Sequence, residues 1–289
     1  MNDLLLPHLL DLLVEPDTEG IVLAGGFGLY LKRQFLLDQN QPILIAEPPP
    51  SRTTQDMDFF LSMSFFAPAR AAALKTVLDR LGYEVMEDAK HFHFRKQVER
   101  PGLFPLEIRV DLLARSPRIE EDIRSDARRV RAPGGIHLHG RNTPEAFSVE
   151  ARTLEIPLVG NKSNGQQVMT RVLVPHSYSW LFMKVRAAHD WLVRKERGDE
   201  DKAGSEKHLQ DIYTLVALLT EAELTEADEM NQQFKELDLV DEIRAGCRAL
   251  FAQDNSLGWL QLLELNGEPL HAGFRPALAR MLGLSNWSQ

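Results

Sequence analysis

Apolar and polar positions change period along the chain, and each change marks an element. From Leu4 to Val14 the leucines recur at helical spacing around His8 and Asp11, which predicts an amphipathic helix packed on the domain. Ile21 to Ala24 is a short apolar strand ended by Gly25-Gly26. Phe27 to Leu37 then predicts a helix, with Leu29, Leu36 and Leu37 among its apolar positions. Between Gln39 and Ser51, Pro42 and the run Pro48-Pro49-Pro50 exclude helix and predict an exposed loop. Asp56 to Leu61 reads as a strand, and Pro68 to Leu81 as a helix closed by Gly82 as its C-cap.

Strand signals then become dense. Tyr83 to Met86, His91 to Arg95 and Leu106 to Leu113 are followed by Phe147 to Val149, Leu154 to Val159 and Val168 to Val174. The last two are predicted to form a hairpin across the polar stretch Asn161 to Gln166. After Pro175 the period becomes helical. Ser177 to Lys195 carries Leu181, Phe182, Val185, Ala188 and Leu192 along one face, and a charged loop, Arg197 to Glu206, follows. Further helices are predicted at Leu209 to Leu219, Glu221 to Leu237, Asp241 to Gln253, Leu257 to Leu265 and Pro276 to Leu282. The pattern predicts an α+β domain over residues 1–175 and a helical C-terminal domain over 176–289.

Charge narrows the partners. There are 42 Asp plus Glu against 33 Lys plus Arg, a net charge of -9. That balance argues against broad nucleic-acid coating, though a local basic groove needs only a patch. Arg124, Arg128, Arg129 and Arg131 form the best such patch; it reads as a solvated face, or as a contact for RNA phosphates if it borders an acidic site. No apolar run approaches the roughly 20 residues of a membrane span, so no membrane partner is expected. The run Leu4-Leu5-Leu6 lacks the basic start of a secretory signal. The single cysteine, Cys247, cannot form an internal disulfide, which fits a cytoplasmic location; it reads as a buried structural thiol.

Candidate chemistry concentrates in Arg52-Thr53-Thr54-Gln55-Asp56-Met57-Asp58-Phe59. Residues two apart on a strand share a face, so Asp56 and Asp58 project side by side. Two carboxylates that close repel unless a cation lies between them, and Mg²⁺ favours one or two carboxylates together with substrate phosphates. The pair reads as a metal site or as exposed surface acids. Gly25-Gly26 at a strand-to-helix junction reads as a tight turn or as a place where an anion approaches free backbone amides. Asp111, between Val110 and Leu112, is costly to bury alone; a shared metal, a salt bridge or strand-end exposure would satisfy it. His91, His93, His137 and His139 alternate as zinc ligands sometimes do, on ordinary strand signals and without a convincing further ligand.

The order of these features resembles the nucleotidyltransferase superfamily related to DNA polymerase β, most closely its AbiEii toxin-like branch. That branch shows a Gly-Gly or Gly-Ser turn and then Arg-x-Thr-x-Asp-x-Asp, matched here by Gly25, Gly26, Arg52, Thr54, Asp56 and Asp58. A later helix motif, Lys-x-x-Ala-x-x-x-Arg, is matched by Lys184 and Ala187 after Pro175-His176-Ser177. The last Asp of an Asp-x-x-Asp pair is matched by Asp211. Trp191 stands at the Arg position and His208 at the first Asp. The resemblance spans about residues 20 to 215.

It implies a mixed sheet flanked by helices and a transfer of a nucleotide from an NTP to a hydroxyl on RNA, such as a tRNA end, or on protein. Asp56, Asp58 and Asp111 would hold two Mg²⁺ ions, with Asp111 assisting deprotonation. Gly25 and Gly26 would hold phosphate oxygens, Arg52 and Thr54 would position the loop or the triphosphate, Lys184 would neutralise phosphate charge, and Asp211 would orient Lys184 or Lys207. It also implies a toxin with an antitoxin partner. Trp191 and His208 keep open a catalytically inactive nucleotide-binding or interaction module of the same fold.

Overall fold

The computed structural model of the chain describes residues 2–51, 54–86, 91–196, 205–284 and Trp287. Arg52, and most of the predicted loop Arg197 to Glu206, lie outside the described residues. The fold is α+β, with a mixed sheet flanked by helices and a helical C-terminal region. The chain divides into two compact units. The first comprises Met1–Lys32 and Arg52–Pro175, the second Arg33–Ser51 and His176–Gln289.

In the first unit the elements are α1 (Asn2–Leu13), β1 (Val22–Leu23), the start of α2 (Gly25–Asp38), β2 (Asp56–Phe60), α3 (Pro68–Arg80), β3 (Glu84–Val85), β4 (His93–Val98) and β5 (Leu106–Ala114). They continue with β6 (Arg129–Arg131), β7 (His139–Asn142), β8 (Thr153–Asn161) and β9 (Gln167–Pro175). The sheet runs β3-β4-β5-β2-β1-β9-β8, with β7 pairing to the end of β5 and β6 to β7. β2 lies parallel to β5 and β1 to β9, while β1–β2, β4–β5 and β8–β9 are antiparallel.

Alternation sets the two faces of the central strands. On β5, Leu106, Ile108, Val110, Leu112 and Ala114 are buried, while Glu107 and Asp111 are half-buried and Arg109 is exposed. Met57 and Phe59 continue the buried face onto β2, and Phe94 onto β4. Each large apolar side chain buried this way contributes roughly 1.5–3 kcal/mol. The polar face of the same three strands is therefore where carboxylates and imidazoles collect. α1 packs on the β8–β9 hairpin, where Gly160 leaves room for Leu10; a Cβ there would come within 2.9 Å of its Cδ1. Gly82, at φ +81°, follows the last turn of α3 as predicted.

Two strand expectations are corrected. Phe147 to Val149 is a turn, following a short 3₁₀ segment at Pro144–Ala146, and its amides bond locally: Val149 N donates to Ala146 O at 3.0 Å. Its apolar side chains are satisfied by burial without a ladder, and three residues are too few to signal which. β4 begins at His93, not His91, because His91 has φ +66°, which takes it off the strand path.

The second unit holds α4 (Ser177–Glu196), α5 (Ser205–Ala217), α6 (Glu221–Gln233), α7 (Asp238–Phe251), α8 (Leu257–Asn266) and α9 (Phe274–Leu282). α4 packs against α5 and α7. A reciprocal cap starts α6: Thr220 Oγ1 accepts from Glu223 N at 3.2 Å, and the Glu223 carboxylate accepts from Thr220 N at 3.4 Å. The Pro-rich segment 39–51 has no regular element but is pinned within this unit. Leu44 N and Ile45 N donate to Leu219 O and Ala217 O, and the Arg33 guanidinium donates to the carbonyls of Pro48 and Pro49. Among the described residues no helix is long and apolar enough to cross a membrane.

Candidate active site

The β2–β5 ladder brings two of the predicted aspartates together. In this parallel pairing Asp58 lies opposite Asp111 and Asp56 opposite Arg109. Neighbouring strands are about 4.8 Å apart, so residues in register on one face present their side chains next to each other. Asp56 shares that face two residues earlier, and all three aspartates are half-buried. Arg109 sits among them: its hydrogen bond to Glu107, and then the charges of Asp56 and Asp111, hold its guanidinium above its ordinary pKa.

The glycine turn meets the same place. Ala24 N donates to Asp58 O at 2.7 Å, which ties the end of β1 to β2. Gly25 then turns at φ +64° to begin α2, with Gly26 in its first turn. A Cβ at Gly25 would lie 1.8 Å from Asp58 Oδ2, so the carboxylate occupies the space that any side chain at position 25 would need. Asp58 thus lies at the start of α2, where the amide dipoles favour negative charge. Thr54, buried, accepts a hydrogen bond from Asp56 N at 3.1 Å through its Oγ1 and fixes the approach to β2.

Asp111 has a partner that the sequence reading passed over. His93 Nδ1 lies 2.5 Å from Asp111 Oδ1, across the antiparallel β4–β5 pairing in which His93 is opposite Asp111. The signal was available in the hairpin: once Val98 is set opposite Leu106, counting back along β4 and forward along β5 places His93 opposite Asp111. Asp58, Asp111 and His93 therefore form a row across three adjacent strands.

In the helical unit, Lys184 on α4 and Asp211 on α5 form a buried ion pair at 2.6 Å, with both side chains almost inaccessible. Trp191 lies on α4 and His208 on α5. Among the described residues no group of three or more His, Cys, Asp or Glu side chains is arranged to hold a metal ion. The Asp58–Asp111 pair still has the right donor chemistry for Mg²⁺, which takes one or two hard carboxylates and completes its shell with phosphate oxygens and water.

Of the remaining candidates, Arg129 and Arg131 are drawn to Asp126 and do not form a free basic face. His91, His137 and His139 gather into one cluster, apart from His93. Compared with protein-family models, with curated proteins and with solved structures, the chain matches none.

Proposed function

We propose that the chain is a metal-dependent nucleotidyltransferase of the DNA polymerase β-like superfamily, closest to its AbiEii toxin-like branch. In this reading it moves a nucleotide from an NTP to a hydroxyl on RNA or protein in the cytoplasm, as a toxin held by an antitoxin partner. One observation carries the reading: Asp58 and Asp111 stand in register on adjacent parallel strands, with Asp58 pressed against the Gly25 turn.

Each residue then has a task. Asp58 and Asp111, with Asp56 beside them, supply the carboxylate oxygens for Mg²⁺, two ions by the family pattern. When bound, the metal lowers the pKa of the attacking hydroxyl and offsets triphosphate charge. Asp111 takes the hydroxyl proton through the oxygen that His93 does not hold. The amides at Gly25 and Gly26 receive phosphate oxygens at the start of α2. Lys184, already paired with Asp211, is oriented by that carboxylate.

A second reading, a nucleotide-binding or interaction module without turnover, is favoured by the His93–Asp111 contact, which already gives one of the two registered carboxylates a protein partner. NTP turnover with Mg²⁺ or Mn²⁺ separates the two. Measurable turnover that disappears in Asp56→Asn with Asp58→Asn supports the enzyme. Turnover undiminished in that double variant refutes the acidic site, and nucleotide binding without turnover supports the module.

A further inference from the structure

Outside the aspartate face, the first unit gathers a second set of ionisable side chains. The ring centroid of His91 lies 4.6 Å from that of His137 and 5.5 Å from that of His139. The left-handed backbone at His91 is tied to β7, since His139 N donates to His91 O at 2.9 Å. Beside β7, Arg131 on β6 is opposite His139. Lys75 from α3 and Arg129 from β6 both bear on His91, and Arg129 and Arg131 on His139.

Two atoms of this cluster, His91 Nδ1 and Arg129 Nε, are buried and have no hydrogen-bond partner, while the His139 imidazole is drawn to the Leu138 backbone. Leaving a buried polar group unsatisfied is costly, because its lost hydration is not replaced. Asp126 takes the NH2 ends of Arg129 and Arg131, so it does not satisfy Arg129 Nε. Both atoms can donate: the guanidinium Nε always, the imidazole Nδ1 in its protonated form or the matching tautomer. Buried donors without a partner call for an acceptor. A metal cation is disfavoured, because Lys75, Arg129 and Arg131 would repel it and no metal-holding group of three is present among the described residues. His137 is exposed and leaves the cluster reachable from solvent.

We propose that His91, His139 and Arg129 form a binding site for a phosphate-class oxyanion. Arg129 provides permanent charge and a directed N–H, and the two imidazoles add donors that strengthen on protonation. Burial first, then neighbouring positive charge, keeps the His91 imidazole neutral to lower pH than a free histidine; at His139 burial, helped by Arg129, outweighs the opposing hydrogen bond to the Leu138 backbone. A bound anion opposes both effects, so the imidazoles are more readily protonated when the site is filled. Among the described residues, Lys75, Arg131 and His137 are further basic or titratable groups at the cluster; Asp79 holds Lys75, and Asp126 holds Arg129 and Arg131.

The experiment titrates the full chain with inorganic phosphate, and separately with AMP, in the absence of divalent metal. Histidine imidazole resonances and calorimetry provide the readouts. Phosphate is expected to shift the His91 and His139 imidazole signals. Arg129→Met and His91→Gly should each weaken binding about tenfold or more, the loss of one charge-assisted hydrogen bond. Glycine holds the left-handed backbone at position 91, so that variant serves even if Arg129→Met does not fold. AMP binding more tightly than phosphate would assign the site to a nucleotide's phosphate, and equal binding to the phosphate group alone; either supports the site. Asp58→Asn should leave the phosphate-induced shifts of the His91 and His139 imidazoles unchanged, which separates this site from the proposed transferase chemistry. Absence of any imidazole shift at about 10 mM phosphate, or binding undiminished in both variants, would overturn the proposal.

Discussion

Gly25→Ala tests the link between the glycine turn and the aspartate face. The substitution places a methyl 1.8 Å from Asp58 Oδ2, 2.8 Å from its Cγ and 3.1 Å from its Cβ. The first of these is more than an ångström inside any tolerated contact, so Asp58 must leave its rotamer or β2 must shift. An off-rotamer side chain costs about 0.5–1.5 kcal/mol. The backbone adds its own penalty, because φ is +64° and a left-handed L-residue costs roughly 1–2 kcal/mol. Together these predict a destabilisation of about 2–3 kcal/mol.

The two parts separate in a double-mutant cycle read by chemical denaturation. In an Asp58→Ala background Oδ2 and Cγ are gone, so Gly25→Ala should retain only the backbone cost, with a coupling energy of about 1 kcal/mol. Equal cost of Gly25→Ala in both backgrounds would refute the steric argument. Displacing Asp58 should also weaken Mn²⁺ binding in the single variant.

Two further perturbations follow from charged pairs. Lys184→Met should destabilise the protein by about 3–5 kcal/mol, because it strands the buried Asp211 carboxylate, and adding Asp211→Leu should recover most of that loss; denaturation of the three proteins checks this, and additive losses would contradict it. The hydrogen bonds from buried Arg115 hold the Glu121 carboxyl below its usual pKa. A lowered folded pKa stabilises fully above the unfolded value near about 4.3 and is lost as pH falls through the folded one. Glu121→Gln should therefore be less stable than the parent at neutral pH, with the gap closing below about pH 4; a gap independent of pH would exclude the pair as its source.

Much of the fold is written locally. The alternation through Leu106–Ala114, the helical period of Ser177–Glu196 and the prolines of 39–51 are each read within a few residues, because strand pleat, helix pitch and a missing amide act on neighbours. The same locality explains the errors. Phe147 to Val149 carries no information on whether its amides find a ladder or a turn, and His91 signals its left-handed backbone no more than its neighbours do. Segment 39–51 reads as loop, but its place in the helical unit depends on bonds to Leu219 and Ala217, far along the chain.

For the site, the sequence by itself determined which residues carry charge and which faces of β2 and β5 they take, since alternation alone assigns Asp56, Asp58 and Asp111 to the polar side. Only the tertiary structure decided their neighbours. Strand order and register put Asp58 beside Asp111, His93 on Asp111 and the Gly25 turn on Asp58, and they gathered His139 and Arg129 from adjacent strands with His91 from the turn before β4. Those contacts join residues tens of positions apart, and long-range pairing depends on how the whole sheet closes.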